Sequence, residues 1–145
     1  MEAMLQINPA PSLAAVLGLL ESAGLPTSDL TDAHMADFFH VGPAGAPFGI
    51  VGVQLYGSDA LLRSLVVIAS HRKQGLGQRL VEHAEQHAHR CGARTVYLLT
   101  TTAEPFFRAR GYSPAARDAA PPAIRTTQEF SSLCPSSSAF LFKHL

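Results

Sequence analysis

Between Leu65 and Gln78 the chain reads LVVIASHRKQGLGQ, a passage that permits few folds. The β-branched, apolar run Leu65–Ile68 suits a buried strand. Beyond it Leu76, Leu80, Ala84, Ala88 and Cys91 recur at helical spacing, with Val81 beside them. The turn between the two carries Gly75 and Gly77 and the cations Arg72 and Lys73. A strand that enters a helix through glycines builds an anion cradle. The first N–H groups of a helix have no partner inside it and point outward at the positive end of its dipole. Glycine removes the side chains that would hold a phosphate away from those amides. The spacing predicts a helix over Leu76–Cys91, stopped by Gly92, with a phosphate-bearing ligand at its start.

The rest of the chain sorts around that passage. Pro11–Ala23 reads as a first helix, with Leu13, Val16, Leu17 and Leu20 on one face and Gly24 as the stop. Ser28–Asp37 is polar and carries no clear period. Asp37–Val41, Phe48–Leu55 and Ala60–Ile68 read as three strands joined by the breakers GPAGAP and the turn YGSD, an antiparallel meander. After the long helix, Thr95–Thr102 suits a buried strand and Glu104–Arg110 a short helix ending at Gly111-Tyr112. Ser113–Leu133 is loop-rich, with one helix available over Ala123–Phe130, and Ala139–Lys143 closes as a strand. A meander followed by helix, strand, helix and strand predicts an α+β sheet with crossovers in its second half, within one domain of 145 residues.

Several classes are excluded or disfavoured. Eleven Lys+Arg balance eleven Asp+Glu, which argues against nucleic acid as the main partner. No apolar run reaches the length of a membrane span, and MEAMLQINPAPS has no basic leader, so a cytoplasmic protein is expected. Two cysteines, Cys91 and Cys134, make no disulfide framework. His83 and His87 stand four apart, but Ala84 takes the place of the glutamate of H-E-x-x-H, and no metal site is expected. No G-x-S-x-G elbow frames a serine nucleophile. Among phosphate motifs, G-x-x-x-x-G-K-[ST] is absent, and G-x-G-x-x-G fails because Leu80 stands at the third glycine.

What remains is Arg72-Lys73-Gln74-Gly75-Leu76-Gly77, an R-x-x-G-x-G after an apolar strand. It resembles the acyl-CoA pyrophosphate loop of the GNAT family of N-acetyltransferases. Leu62–Val67 is similar to that family's fourth strand, Thr95–Thr102 to its fifth, and Phe106–Tyr112 to its short helix ending in a Gly-aromatic pair. LLRSLVV, TTTAEPFF and APPAIRTTQEFSSLCPSSSA are further similar to GNAT members found with bacterial arsenic-resistance genes. The resemblance implies a mixed, mostly antiparallel sheet flanked by helices, with its fourth and fifth strands splayed. It implies acetyl-CoA as co-substrate, its pantetheine arm on the main chain of Leu65, Val66 and Val67. The pyrophosphate would rest on the amides of Arg72, Lys73, Gln74, Gly75, Leu76, Gly77 and Gln78, with Phe107 also against the coenzyme. An amide near Val66 would stabilise the oxyanion while a small-molecule amine attacks directly.

Two positions depart from the family pattern. Phe107 stands where many members carry the tyrosine that protonates the departing thiolate, and neither Tyr97 nor Tyr112 is a clean substitute. Leu61–Ile68 holds no carboxylate, so Glu104 becomes the candidate base, or else a carboxylate that only stabilises the start of its helix. Arg63 sits mid-strand, where burial would require a carboxylate partner; it could bind an acidic substrate group, pair with Asp59, or reach solvent. Arg117 and Arg125 are further candidate substrate contacts or surface charges, and Cys134 is a candidate lining residue. The closing strand AFLFK offers an edge for a homodimer. The alternative to an enzyme is a non-catalytic acyl-CoA-binding module serving as sensor or interaction partner.

Overall fold

A computed structural model of the chain describes residues 6–72, 74–127, 130–131 and 138–145. Strands β1 (Ile7–Pro9), β2 (Phe38–Val41), β3 (Gly49–Tyr56), β4 (Asp59–Val67), β5 (Thr95–Thr100), β6 (Ser113–Pro114) and β7 (Ala139–His144) form a seven-stranded sheet in the order β1-β2-β3-β4-β5-β7-β6. The helices are α1 (Leu13–Ser22), α2 (Leu76–Arg90), α3 (Glu104–Arg108) and α4 (Pro122–Arg125). The chain divides into two compact units, Met1–Val53 with Ser64–Ala84, and Gln54–Arg63 with Glu85–Leu145.

In the first unit Ser12 caps α1, its Oγ accepting from the Ala15 amide at 3.2 Å. The α1 face then buries Val16 and Leu20 completely against Leu30, Met35, Phe38, Ile50 and Val66. Each such side chain contributes about 1.5–3 kcal/mol by leaving water. The polar stretch before β2 forms a 3-10 segment, Asp32–Asp37, held by a box in which His34 Nδ1 accepts from the Thr31 amide at 3.0 Å. β2 runs antiparallel to β1 and to β3. Phe38 lies opposite Gly52, where a Cβ would fall 2.3 Å from its ring. The first turns of α2 bury Leu76, Leu80, Val81 and Ala84, and Phe39 meets His83 edge-on at 4.6 Å.

In the second unit β4 begins parallel to β5, as a crossover through α2 requires. β5 pairs antiparallel with β7 over its whole length, from Thr95↔His144 to Thr100↔Ala139. β6 adds two residues at the outer edge of β7. Leu61, Ala120, Ile124 and Phe140 form the core here, joined by Tyr56, Tyr97, Leu99 and Phe130.

The expected α+β sheet with crossovers is the observed one, and three local differences have simple causes. β1 is additional: INP is too short for a period, and its Pro9 is tolerated because the strand is at an edge. Cys91 leaves the apolar stripe and is exposed, because α2 stops at Arg90 and the chain turns away at Gly92 with φ +99°. Of the helix expected over Ala123–Phe130, α4 covers Ala123–Arg125 and begins one residue earlier at Pro122, Thr126 and Thr127 form a turn and a bend, Phe130 is again helical in π form, and residues 128 and 129 lie outside those described.

Candidate functional site

The β4–α2 junction has the form of an anion cradle. β4 ends at Val67, a 3-10 turn covers Ala69–His71, and Gly75 at φ +77° delivers the chain into α2 at Leu76. Only glycine takes that φ at little cost, and a Cβ built on Gly75 meets nothing within 4 Å. The turn is braced from within. Arg72 Nε donates to the Val67 carbonyl at 2.9 Å, and the Ile68 amide donates to the Phe48 carbonyl at 2.8 Å. His71 stacks on the Phe48 ring at 3.8 Å, nearly parallel at 11°, with its Nδ1 2.9 Å from Ser70 Oγ. Gln74 and Gly75 are exposed, Gly77 half-buried and Gln78 exposed, while Leu76 is buried and anchors the helix start. Lys73 lies outside the described residues.

β4 carries one unusual backbone angle on the way to this junction. Ser64 takes φ +61° in mid-strand, a left-handed conformation uncommon for a residue other than glycine. Among the described residues the β4–β5 ladder holds three pairs and ends at Leu61 and Tyr97, although β4 continues to Val67 and β5 to Thr100. Leu65 and Val67 are half-buried, and Val66 is buried.

In the second unit, the Thr100 hydroxyl accepts from the Ala103 amide at 3.0 Å and turns β5 into α3. Glu104 opens that helix, half-exposed, 3.5 Å from Arg108 in an ion pair too exposed to fix it firmly. Phe107 is buried and meets Phe106 and Tyr112 edge-on. Tyr112 is buried as well, and its hydroxyl donates to Glu85 Oε2 at 2.8 Å. Burial first, then the Glu85 charge and this hydrogen bond, push its phenol far above the ordinary tyrosine value. Tyr97 on β5 is shifted upward too, by burial and then by Asp59.

Arg63 is buried in β4, at 4% exposure. Arg117 is half-buried; its Nη2 donates to the Ser138 carbonyl at 3.1 Å and its guanidinium lies 5.3 Å from the Phe130 ring. Arg125 is exposed and donates to the carbonyls of Asp118 at 2.7 Å and Ala120 at 3.2 Å, tying the turn before α4 together. Cys134 lies outside the described residues. Sequence reasoning passed over Glu85 and Lys143, which meet at 3.0 Å. The available signal was the place of Glu85 four residues after Val81, at the border of the apolar stripe.

The comparisons agree with this geometry. A family model described as an acetyltransferase (GNAT) domain matches residues 36–114, more than half of the chain. An amino-acid acetyltransferase of Pseudomonas syringae pv. tomato is 35% identical over 69 residues, 48% of this chain and 16% of that protein. An uncharacterised N-acetyltransferase of Chlorobaculum tepidum is 33% identical over 92 residues, covering 63% of this chain and 59% of the relative. The chain thus spans only a small part of the amino-acid acetyltransferase it matches. Among solved structures, N-acetylglutamate synthase from Neisseria gonorrhoeae, complexed with coenzyme A and N-acetyl-glutamate, superposes with a TM-score of 0.81. It is 22% identical, with 100% of this chain and 36% of that one covered. With the strand order, the glycine turn and the match over residues 36–114 in agreement, the chain belongs to the GNAT acetyltransferase family.

Proposed function

We propose that the protein is an acetyl-CoA-dependent N-acetyltransferase that acetylates the amine of a small, amino-acid-like molecule. The observation that carries this reading is the β4–α2 junction, where Gly75 at φ +77° opens a braced turn onto the first turn of a fifteen-residue helix. The amino-acid acetyltransferase among the relatives, and the neighbour whose structure holds N-acetyl-glutamate, support an amino-acid-like acceptor. Arg63, Arg117 and Arg125 are the proposed contacts for its acidic end. The tail segments leave an organoarsenical amine as a finer candidate within the same class.

Acetyl-CoA supplies an activated thioester. Beyond the last β4–β5 pair the main chain of Leu65–Val67 is the proposed rail for the pantetheine arm, and a Val66 amide the donor to the developing oxyanion. Glu104 takes the proton of the attacking amine directly or through water. The C–N bond forms and the C–S bond breaks. Phe107 has no proton to give, and the Tyr112 hydroxyl is committed to Glu85, so the thiolate draws its proton from solvent.

The test is thiol release from acetyl-CoA across a panel of amino acids and small amines, beside thermal shift with coenzyme A. Turnover on an amino acid, weakened by Glu104→Gln, supports the proposal. Stabilisation by coenzyme A without turnover on any amine replaces the enzyme with a non-catalytic acyl-CoA-binding module.

A further inference from the structure

Helix α3 has only five residues, too few to hold itself in place. Part of its anchorage runs through the Tyr112 ring. Phe107 packs edge-on against Tyr112 at 5.6 Å, and the Tyr112 amide donates to the Phe107 carbonyl at 3.2 Å. The Tyr112 hydroxyl reaches Glu85 of α2 at 2.8 Å. Glu85 also takes Lys143 of β7, whose Nζ lies 3.0 and 3.2 Å from its two carboxylate oxygens. Lys143 Nζ is 5.6 Å from the Tyr112 ring centroid, so the three groups close on one another. Gly111 keeps the path open: a Cβ there would stand 3.3 Å from Lys143 Cε, and its φ of +96° disfavours any other residue.

We propose that Glu85 is a positioning residue of the acetyl-transfer reaction, fixing α3, and with it Phe107 and Glu104, through the Tyr112 hydroxyl. This inference rests on the acetyltransferase reading of the chain. A buried tyrosine anchored at its far end cannot slide, and a short helix stacked on it inherits that fixity. Misplacement by an ångström is enough to cost a reaction heavily.

The experiment compares wild type with Tyr112→Phe, Glu85→Leu and Glu85→Gln, measuring Tm, kcat and the KM of the amine for each. Tyr112→Phe leaves the Glu85–Lys143 pair intact, so its Tm stays near wild type while kcat falls about tenfold. Glu85→Leu loses kcat in the same way. Glu85→Gln still offers an oxygen to Tyr112 but abandons the ion pair; it lowers Tm yet recovers most of kcat. The amine KM stays constant throughout. A wild-type kcat in Tyr112→Phe, or losses that simply follow Tm across the three variants, would overturn the proposal. If wild type turns over no amine, the activity reading fails separately, and coenzyme A affinity then decides. Tyr112→Phe should bind coenzyme A about tenfold more weakly; equal affinity rejects the positioning role.

Discussion

Tyr112 carries a pH dependence whose sign is set by its surroundings. Its phenol is raised above the ordinary value of 10.0, chiefly by burial, so the folded protein keeps a proton that the unfolded chain releases. Its contribution to stability is therefore complete below about pH 10 and is lost as pH rises beyond it, by about 1.4 kcal/mol per pH unit. Thermal melts between pH 8 and 11 should show a steeper alkaline decline in wild type than in Tyr112→Phe; equal slopes would refute the assignment. Gly52 gives a second prediction at this scale. A Cβ 2.3 Å from the Phe38 ring has nowhere to go in a core where Phe38 is fully buried. Gly52→Ala should destabilise by about 1–3 kcal/mol in denaturant titration, and trimming Phe38 to Leu in the same chain should recover part of the loss.

Among the elements, those with a period are legible and those without one are not. Helix α2 can be read from Leu76, Leu80, Val81, Ala84 and Ala88, all buried as their spacing predicts. Helix α1 can be read from its leucines and from Ser12, whose cap is a testable feature. Ser12→Ala should cost about 1 kcal/mol, read as a lowered denaturant midpoint at unchanged slope. β1 and the 3-10 segment Asp32–Asp37 are not legible, because INP has no alternation and the second is fixed by a histidine acting as a cap. The candidate site divides in the same way. The glycine turn announces itself through backbone requirements that only glycine meets. The Tyr112–Glu85–Lys143 group stays hidden because its members lie 27 and 58 residues apart, and only the folded chain joins them. Exposed Cys91 shows the converse: correct spacing loses its meaning once the helix has ended.

For the whole molecule, the sheet order β1-β2-β3-β4-β5-β7-β6 and the parallel β4–β5 pair place β4 at the turning point of the topology. Ligands of open mixed sheets favour such points, at the carboxyl ends of strands. There the chain has the end of the β4–β5 ladder, Ser64 at φ +61° and the glycine turn, all between Leu61 and Gly75, three features that serve one purpose if a coenzyme is held there. The most direct measurement is the rate of amine-dependent thiol release from acetyl-CoA in wild type, Gly75→Ala and Gly75→Glu. Both variants carry the strain of a side chain at φ +77°, about 1–2 kcal/mol, and only the glutamate adds a negative charge to the phosphate turn. The account predicts turnover in wild type, reduced turnover in Gly75→Ala and none in Gly75→Glu. Turnover in Gly75→Glu equal to that in Gly75→Ala would contradict it, since the coenzyme's phosphates would then lie elsewhere.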